Sequence, residues 1–247
     1  MGSLGGSVES RVQFIERLEG LVGALAGHIV IDLGCGREGL WTRAYAARGA
    51  RVIAVERDPE RCGAVGARLA APLLAGSGRV LGVVRADGEW LPVATGSVRF
   101  VHCAQVLEHV RSPRTLMREL SRVLVPGGHA YVTAINRHAL RDPHFGVLGV
   151  NYLPRRLADR VLALVGAENP EGQRLSEMHY FSRGGFRRLC AASGLETLVD
   201  LMRRERLARH GALAGRLADM WGAAVRSAAF HVIVRRPEVG ERGSPSR

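Results

Sequence analysis

Residues 28–39, His28-Ile-Val-Ile-Asp32-Leu-Gly34-Cys35-Gly36-Arg-Glu-Gly39, narrow the possible folds more than any other stretch of this chain. Ile29 to Leu33 has the length and β-branched content of a buried strand. It ends in glycines and runs directly into a helix-like stretch, Leu40 to Arg48. Glycine lets a backbone turn tightly and approach a ligand, and the first N–H groups of a helix lack partners within it. A strand, a glycine turn and a helix start therefore predict a nucleotide-type ligand at the bend.

Two ligands compete for that bend. Gly34-x-Gly36-x-x-Gly39 satisfies the dinucleotide fingerprint, and Glu56 follows Gly34 by 22 residues, near the ~20 expected of a ribose-binding acid. However, a pyrophosphate there would meet the charge of Asp32. S-adenosylmethionine has no phosphate and carries an ammonium and a sulfonium, so a nearby carboxylate attracts it. Asp32 favours the methyl donor.

The rest of the pattern alternates. Val8, Val12, Ile15, Leu18, Val22 and Leu25 share one helical stripe. There follow strand 29–33, helix 40–48, strand 51–55, helix 59–74, strand 80–86, strand 98–103, helix 113–124 and strand 129–135. Such alternation predicts an α/β fold whose ligands sit beyond the carboxyl ends of the strands. Asp32, Glu56 and Asp87 fall at three such ends, so one crevice can hold all three. Residues 136–180 lack strand periodicity, include a helix opened by Pro154, and read as a lid or substrate insertion after strand five. Helix 182–193, strand 195–202, helix 206–226 and strand 229–235 complete the plan. Residues 237–247, rich in Pro, Gly, Ser and Arg, are expected to be disordered.

From about Gly27 to Pro237 the chain resembles the class I S-adenosylmethionine-dependent methyltransferases. Asp32-Leu-Gly34-Cys-Gly36 resembles their first motif, with Glu38 where the family has its third glycine and Gly39 following. Val52-Ile-Ala-Val-Glu56-Arg57-Asp58 resembles the second strand and its ribose-binding acid. Arg85-Ala-Asp87-Gly88-Glu89-Trp90-Leu91-Pro92 resembles the adenine-contacting segment. Phe100-Val-His-Cys-Ala104-Gln105-Val-Leu-Glu108-His109 resembles strand four and its loop, and Leu120 to Gly128 the helix and turn before strand five. The resemblance implies a Rossmann-like seven-stranded, mostly parallel sheet with helices on both faces and the last strand antiparallel. It implies a domain over 27–236 behind an N-terminal helical segment, 1–26. It also implies S-adenosylmethionine as cofactor, bound by Asp32, Gly34, Gly36, Glu56, Arg57, Asp87, Gly88 and Gln105.

The chemistry of those side chains agrees. Glu56 can accept hydrogen bonds from both ribose hydroxyls. Asp87 can accept from the adenine amine while the Gly88 or Glu89 N–H meets a ring nitrogen. Trp90 and Leu91 can offer apolar faces to the purine, although Trp90 suits a core position as well. Asp32 can balance the methionine ammonium directly or through water. Gln105 either reaches the same end or is a surface amide.

Methyl transfer is an in-line displacement at the sulfonium carbon, and it needs a base only when the nucleophile must lose a proton. His109, His138, His144, His179 and Tyr180 lie around the expected mouth. His109, beside Glu108, and His144, on the lid, are the catalytic candidates, with a structural role open for His109. Glu108, His109 and a lid histidine could also ligate a divalent ion, but their spacing matches no metal signature and no metal is expected.

Composition removes other classes. No apolar run approaches the ~20 residues that span a bilayer. Met1-Gly-Ser-Leu-Gly-Gly lacks the basic and apolar regions of a secretory signal, so a cytoplasmic location is expected. Four scattered cysteines without Cys-x-x-Cys pairing read as free thiols. The absence of lysine excludes a Schiff base to pyridoxal phosphate and a P-loop. A net charge of +12 would suit nucleic acid. Yet residues 136–210 carry 13 arginines against 8 acids, hardly denser than the whole, as on a solvated surface. No Asn-Pro-Pro-Tyr segment of the amino-methylating enzymes occurs either. The expected substrate is a small-molecule acceptor methylated at oxygen, as in the quinone-biosynthetic and natural-product tailoring members. The apolar and arginine content of the lid (Phe145, Leu148, Tyr152, Arg155, Arg156) suits a partly apolar acceptor with an anionic or sugar portion. The alternatives are a nucleic-acid methyltransferase, an NAD-dependent oxidoreductase and a non-catalytic cofactor-binding relative.

Overall fold

The computed structural model describes residues 7–69, 78–169, 171–201, 228–238 and 240. Seven strands form one sheet: β1 (Ile29–Leu33), β2 (Arg51–Glu56), β3 (Arg79–Arg85), β4 (Val98–Cys103), β5 (Leu124–Ile135), β6 (Glu196–Asp200) and β7 (Ala229–Arg235). Their order is β3-β2-β1-β4-β5-β7-β6. The first five pair in parallel, and β7 runs antiparallel to both β5 and β6. The order reverses between β1 and β4, which opens a crevice at their carboxyl ends.

Helices α1 (Val8–Val22), α2 (Leu40–Ala47), α3 (Pro59–Leu69), α4 (Pro113–Val123), α5 (Arg155–Leu164) and α6 (Arg183–Ala192) surround the sheet and crevice. The two-residue period of a strand decides which side each residue serves. Val30, Val52, Phe100 and Tyr131 pack with Ile15, Leu18 and Val22 of α1 and Tyr45 of α2. Ile31, Leu33, Val101 and Val132 face the other way, against Leu116, Met117 and Leu120 of α4 and Phe186 of α6. Helix α3 lays Val65 and Leu69 on Ala54. The central strands are thus buried on both faces, which is why they read as continuous apolar runs.

Two strands differ from the sequence expectation by more than one residue. β5 begins at Leu124 rather than 129, because Leu124 pairs with Val98 before the register shifts and Phe100 pairs with His129. Pro126-Gly127-Gly128, with Gly127 at φ 73°, is therefore a bulge inside the strand. β6 is shorter than 195–202. Helix α3 is described only to Leu69; the expected helix 206–226 lies outside the described residues, as do residues 241–247 of the expected tail.

The insertion 136–180 has a small core of its own. Val150, Ala158, Leu162 and Leu175 pack together, with Phe145, Leu153 and Tyr180 against them. A bridge between Asn136 and Phe181 closes its neck beside the end of β5.

Candidate active site

A cavity of about 490 Å³ lies beyond the carboxyl ends of β1, β2 and β4. The glycine bend forms one wall. Gly34 sits at φ 73° and donates to the Val55 carbonyl at 2.8 Å. A Cβ there would fall 2.5 Å from Val106 Cγ2, so both conformation and space require glycine. Gly36 donates to Glu56 Oε2 at 3.0 Å, while Arg57 and Asp58 donate backbone N–H bonds of 2.9 and 3.0 Å to Oε1. Three amides thus fix the Glu56 carboxylate, buried on the cavity wall with Arg57 beside it. Glu38 turns outward to pair with Arg68 at 3.0 Å, and Gly39, left-handed at φ 58°, opens α2. Gly39 is pressed against α3, where a Cβ would fall 2.7 Å from Val65 Cγ2.

Asp32 does not reach the cavity wall. It shares the strand face of Val30, and its Oδ2 accepts a 2.5 Å bond from Thr42 Oγ1 on α2. Burial raises its carboxyl to about 6, against the lowering effect of the Thr42 bonds. Of the two routes expected from sequence, direct or through water, the placement of Asp32 behind the bend, bracing the start of α2, leaves the indirect one.

Asp87 and Gly88 do line the cavity. Asp87 Oδ1 accepts from the Glu89 N–H at 3.0 Å, and Oδ2 lies 3.3 Å from Arg111 Nη2. Trp90 is neither a purine face nor core: it is 73% exposed, whereas Leu91 is buried in the main core. A turn in which Trp90 N–H bonds to the Asp87 carbonyl sends Leu91 inward and the indole outward. Leu33, Val55, Ala86, Val106 and Val110 supply the apolar lining instead.

Gln105 also faces the cavity, and it is the one non-glycine residue at positive φ (57°) among those described. Its N–H donates to Thr133 Oγ1 at 2.7 Å, which holds a conformation that costs about 1–3 kcal/mol. Such strain concentrates at functional sites.

His109 and His144 enter the cavity from two elements, the loop after β4 and the insertion. Asp142 places the second one. Its Oδ1 accepts 2.9 Å bonds from both the His144 and Phe145 N–H groups, a turn that aims His144 inward. The rings stand 5.3 Å apart and nearly perpendicular. Both Nε2 atoms face Glu108 Oε1, at 4.0 Å from His109 and 3.8 Å from His144. Glu108 is fully buried, and burial pushes its carboxyl up to about 7 while its own amide opposes the shift. Burial also lowers His144, with His109 adding to the effect. Tyr180 stands behind His144, 3.2 Å from Nδ1, while His138 and His179 are not on the cavity wall.

Three lining residues carry no sequence signal. Arg61 on α3 pairs with Glu171 of the insertion at 2.7 Å across the rim, and Asn169 lies beside it. A pairing over 110 residues has no local pattern to betray it. Taken together, a glycine cradle, two acidic strand ends and an apolar wall suit a cationic nucleoside.

Residues 31–132 match a family model described as a methyltransferase domain. Over those residues the chain carries a methyltransferase domain. The methyltransferase domain is similar to ubiquinone biosynthesis O-methyltransferase from Xanthomonas oryzae pv. oryzae, 35% identical over 133 residues, 54% of this chain and 53% of that protein. The chain thus spans about half the length of the curated relatives it matches. Among solved structures, an S-adenosylmethionine-dependent methyltransferase from Mesorhizobium loti superposes with a TM-score of 0.61 at 19% identity, covering 95% of this chain and all of that one. The [4+2]-cyclase SpnF superposes with a TM-score of 0.57 at 16% identity, over 94% of this chain and 83% of that one. Likenesses this distant show the methyltransferase fold alone, and a fold does not choose a reaction.

Proposed function

We propose that this protein transfers a methyl group from S-adenosylmethionine to an oxygen of a small-molecule acceptor, in a biosynthetic or tailoring pathway. The observation that carries the reading is one cavity that gathers Glu56, Asp87, the Gly34–Gly36 bend, His109 and His144. The likeness to an O-methyltransferase of quinone biosynthesis supports an oxygen acceptor. A cytoplasmic site of action belongs to the same proposal; among the described residues, no helix is long and apolar enough to cross a membrane.

When bound, S-adenosylmethionine supplies an electrophilic methyl group on a sulfonium. Glu56 holds the ribose hydroxyls through acceptor capacity its three backbone donors leave over, and Asp87 accepts from the adenine amine. The bare bend at Gly34 and Gly36 lets the methionine portion lie against backbone, with Gln105 at the same end. Glu56, Asp87 and the bend would hold the donor so that its sulfonium could leave as a neutral thioether when an acceptor oxygen takes the methyl group. The hydroxyl proton passes to Nε2 of His144 or His109, where the Glu108 carboxylate stabilises the imidazolium. Holding the oxygen in line about 3 Å from the methyl carbon supplies most of the acceleration.

The test is transfer of a tritiated methyl group from S-adenosylmethionine to the small-molecule fraction of a cell extract. The proposal expects label in an extractable product. Label confined to RNA would favour the nucleic-acid alternative, and no label despite tight S-adenosylhomocysteine binding would favour the non-catalytic one. His109→Ala and His144→Ala are expected to lower kcat at least tenfold with little change in S-adenosylhomocysteine affinity. Full turnover in either variant removes that residue from the reaction.

A further inference from the structure

We infer that Glu108, His109 and His144 form a divalent transition-metal site in the wall of the cavity, two imidazole nitrogens and one carboxylate oxygen. The use of the ion rests on the methyl-transfer reading; its binding does not. The ligand atoms of the three residues lie within 4.8 Å of one another. Glu108 is 0% exposed, yet neither carboxylate oxygen has a hydrogen-bond partner. A buried acceptor left in that state costs about 1–3 kcal/mol, and more when charged. The histidine Nε2 atoms stand 3.8 and 4.0 Å from Oε1, beyond hydrogen-bond reach. A proton on Glu108 would therefore find no acceptor at bonding distance, whereas an ion between the three groups satisfies all of them.

The outer contacts turn bare nitrogens toward that point. His109 Nδ1 lies 2.5 Å from Gln173 Oε1. An amide oxygen only accepts, so with the amide in this orientation the ring proton is on Nδ1 and the Nε2 lone pair faces Glu108. His144 Nδ1 meets the Tyr180 hydroxyl. The phenol oxygen can accept from a His144 Nδ1–H, which leaves the Nε2 lone pair toward Glu108. The Arg155 guanidinium, 4.6 Å from the Tyr180 ring centre, pins the phenol from behind. Fixing each ligand imidazole through its far nitrogen is the usual second layer of a metal site.

Two nitrogens and one oxygen select Zn²⁺, Co²⁺, Fe²⁺ or Mn²⁺ over Mg²⁺ and Ca²⁺, which take oxygen ligands. With metal–ligand bonds of about 2.0–2.2 Å, donors across a wide angle stand up to roughly 4 Å apart. Three tetrahedral donors stand roughly 3.4 Å apart, so the 3.8 and 4.0 Å separations, in a set lying within 4.8 Å, must close by about 0.5 Å or more around an ion. Since His109 and His144 line the cavity, the remaining coordination positions face the acceptor. An acceptor hydroxyl bound there would lose its proton more readily, so the ion would take over the task otherwise left to a histidine.

The experiment strips the full chain with a chelator, titrates it with Co²⁺ and Zn²⁺, and measures S-adenosylhomocysteine affinity on the same samples. The expected result is one Co²⁺ per chain, with the visible bands of a nitrogen-ligated ion, displaced by Zn²⁺. His109→Ala and His144→Ala should each weaken binding at least tenfold; Gln173→Ala and Tyr180→Phe should weaken it by about 10-fold or more. Glu108→Gln and Tyr180→Phe preserve volume, so they carry the test if a histidine variant fails to fold. Absence of Co²⁺ binding in the wild type, or binding unchanged by these substitutions, overturns the site. A chain that binds S-adenosylhomocysteine but neither ion overturns the metal and leaves the donor pocket standing. One that binds the ion alone supports the metal and contradicts the donor reading.

Discussion

Glu56 and Asp87 are the two charged acceptors that reach the cavity from strand ends, so their removal leaves donors of a bound nucleoside unpaired. Glu56→Ala and Asp87→Ala should each weaken S-adenosylhomocysteine binding by roughly 1–3 kcal/mol in calorimetric titration; unchanged affinity in both contradicts the assigned pocket. Asp32 makes a different prediction, about stability. Its folded-state pKa of about 6 stands above the ordinary 3.8. The folded state therefore holds that proton more tightly, a stabilisation complete below about pH 4 and lost as pH rises through 6. Asp32→Asn, which removes the charge and keeps the shape, should gain on the wild type between pH 4 and 7 by up to about 3 kcal/mol in urea unfolding. A difference that ignores pH sinks this account of Asp32. Glu56 and Asp87 were legible because an apolar run announces where a strand stops. The direction of Asp32 follows from strand alternation, which puts it with Val30 rather than Leu33. The exposure of Trp90 was not legible, because a single turn decides which of two adjacent apolar residues goes inside.

The bend, the sheet and the insertion each left a different trace in the sequence. Buried strands announce themselves as runs of Val and Ile, and β1, β4 and β7 start and stop where those runs do. The early start of β5 was hidden because Pro126 and two glycines signal a turn, and only pairing with β4 converts that turn into a bulge. The insertion was legible as an interruption but not as a folded unit. Its core draws one residue from each of the short 3-10 turns Val150–Tyr152 and Leu175–Glu177 and only two from α5, so no period runs through it. That core is what holds His144 and Tyr180 against the cavity. Leu162→Ala, in a fully packed position of it, should cost about 2–5 kcal/mol locally. Hydrogen exchange is expected to speed up across 142–178 while the sheet stays protected, and turnover should fall more than S-adenosylhomocysteine affinity. Uniform loss of protection would mean that the insertion does not fold as a separate unit. The Arg61–Glu171 pair adds little to this, because both side chains are 39% exposed.

At the scale of the molecule, the charge of +12 is spread along the chain as arginine rather than gathered on one element. Dispersed charge raises solubility and weak, salt-sensitive attraction to polyanions without specifying one. On the proposed function, specificity belongs instead to the switch point between β1 and β4, where the strand order reverses and the glycine bend, the acidic strand ends and the two histidines converge. The central claim is that this crevice receives a cationic nucleoside rather than a pyrophosphate. Side-by-side calorimetry of the full chain with S-adenosylhomocysteine and with NADH tests it most directly. One S-adenosylhomocysteine per chain, with no heat from NADH at matched concentration, is the predicted result. Binding of NADH with no response to S-adenosylhomocysteine would contradict the account.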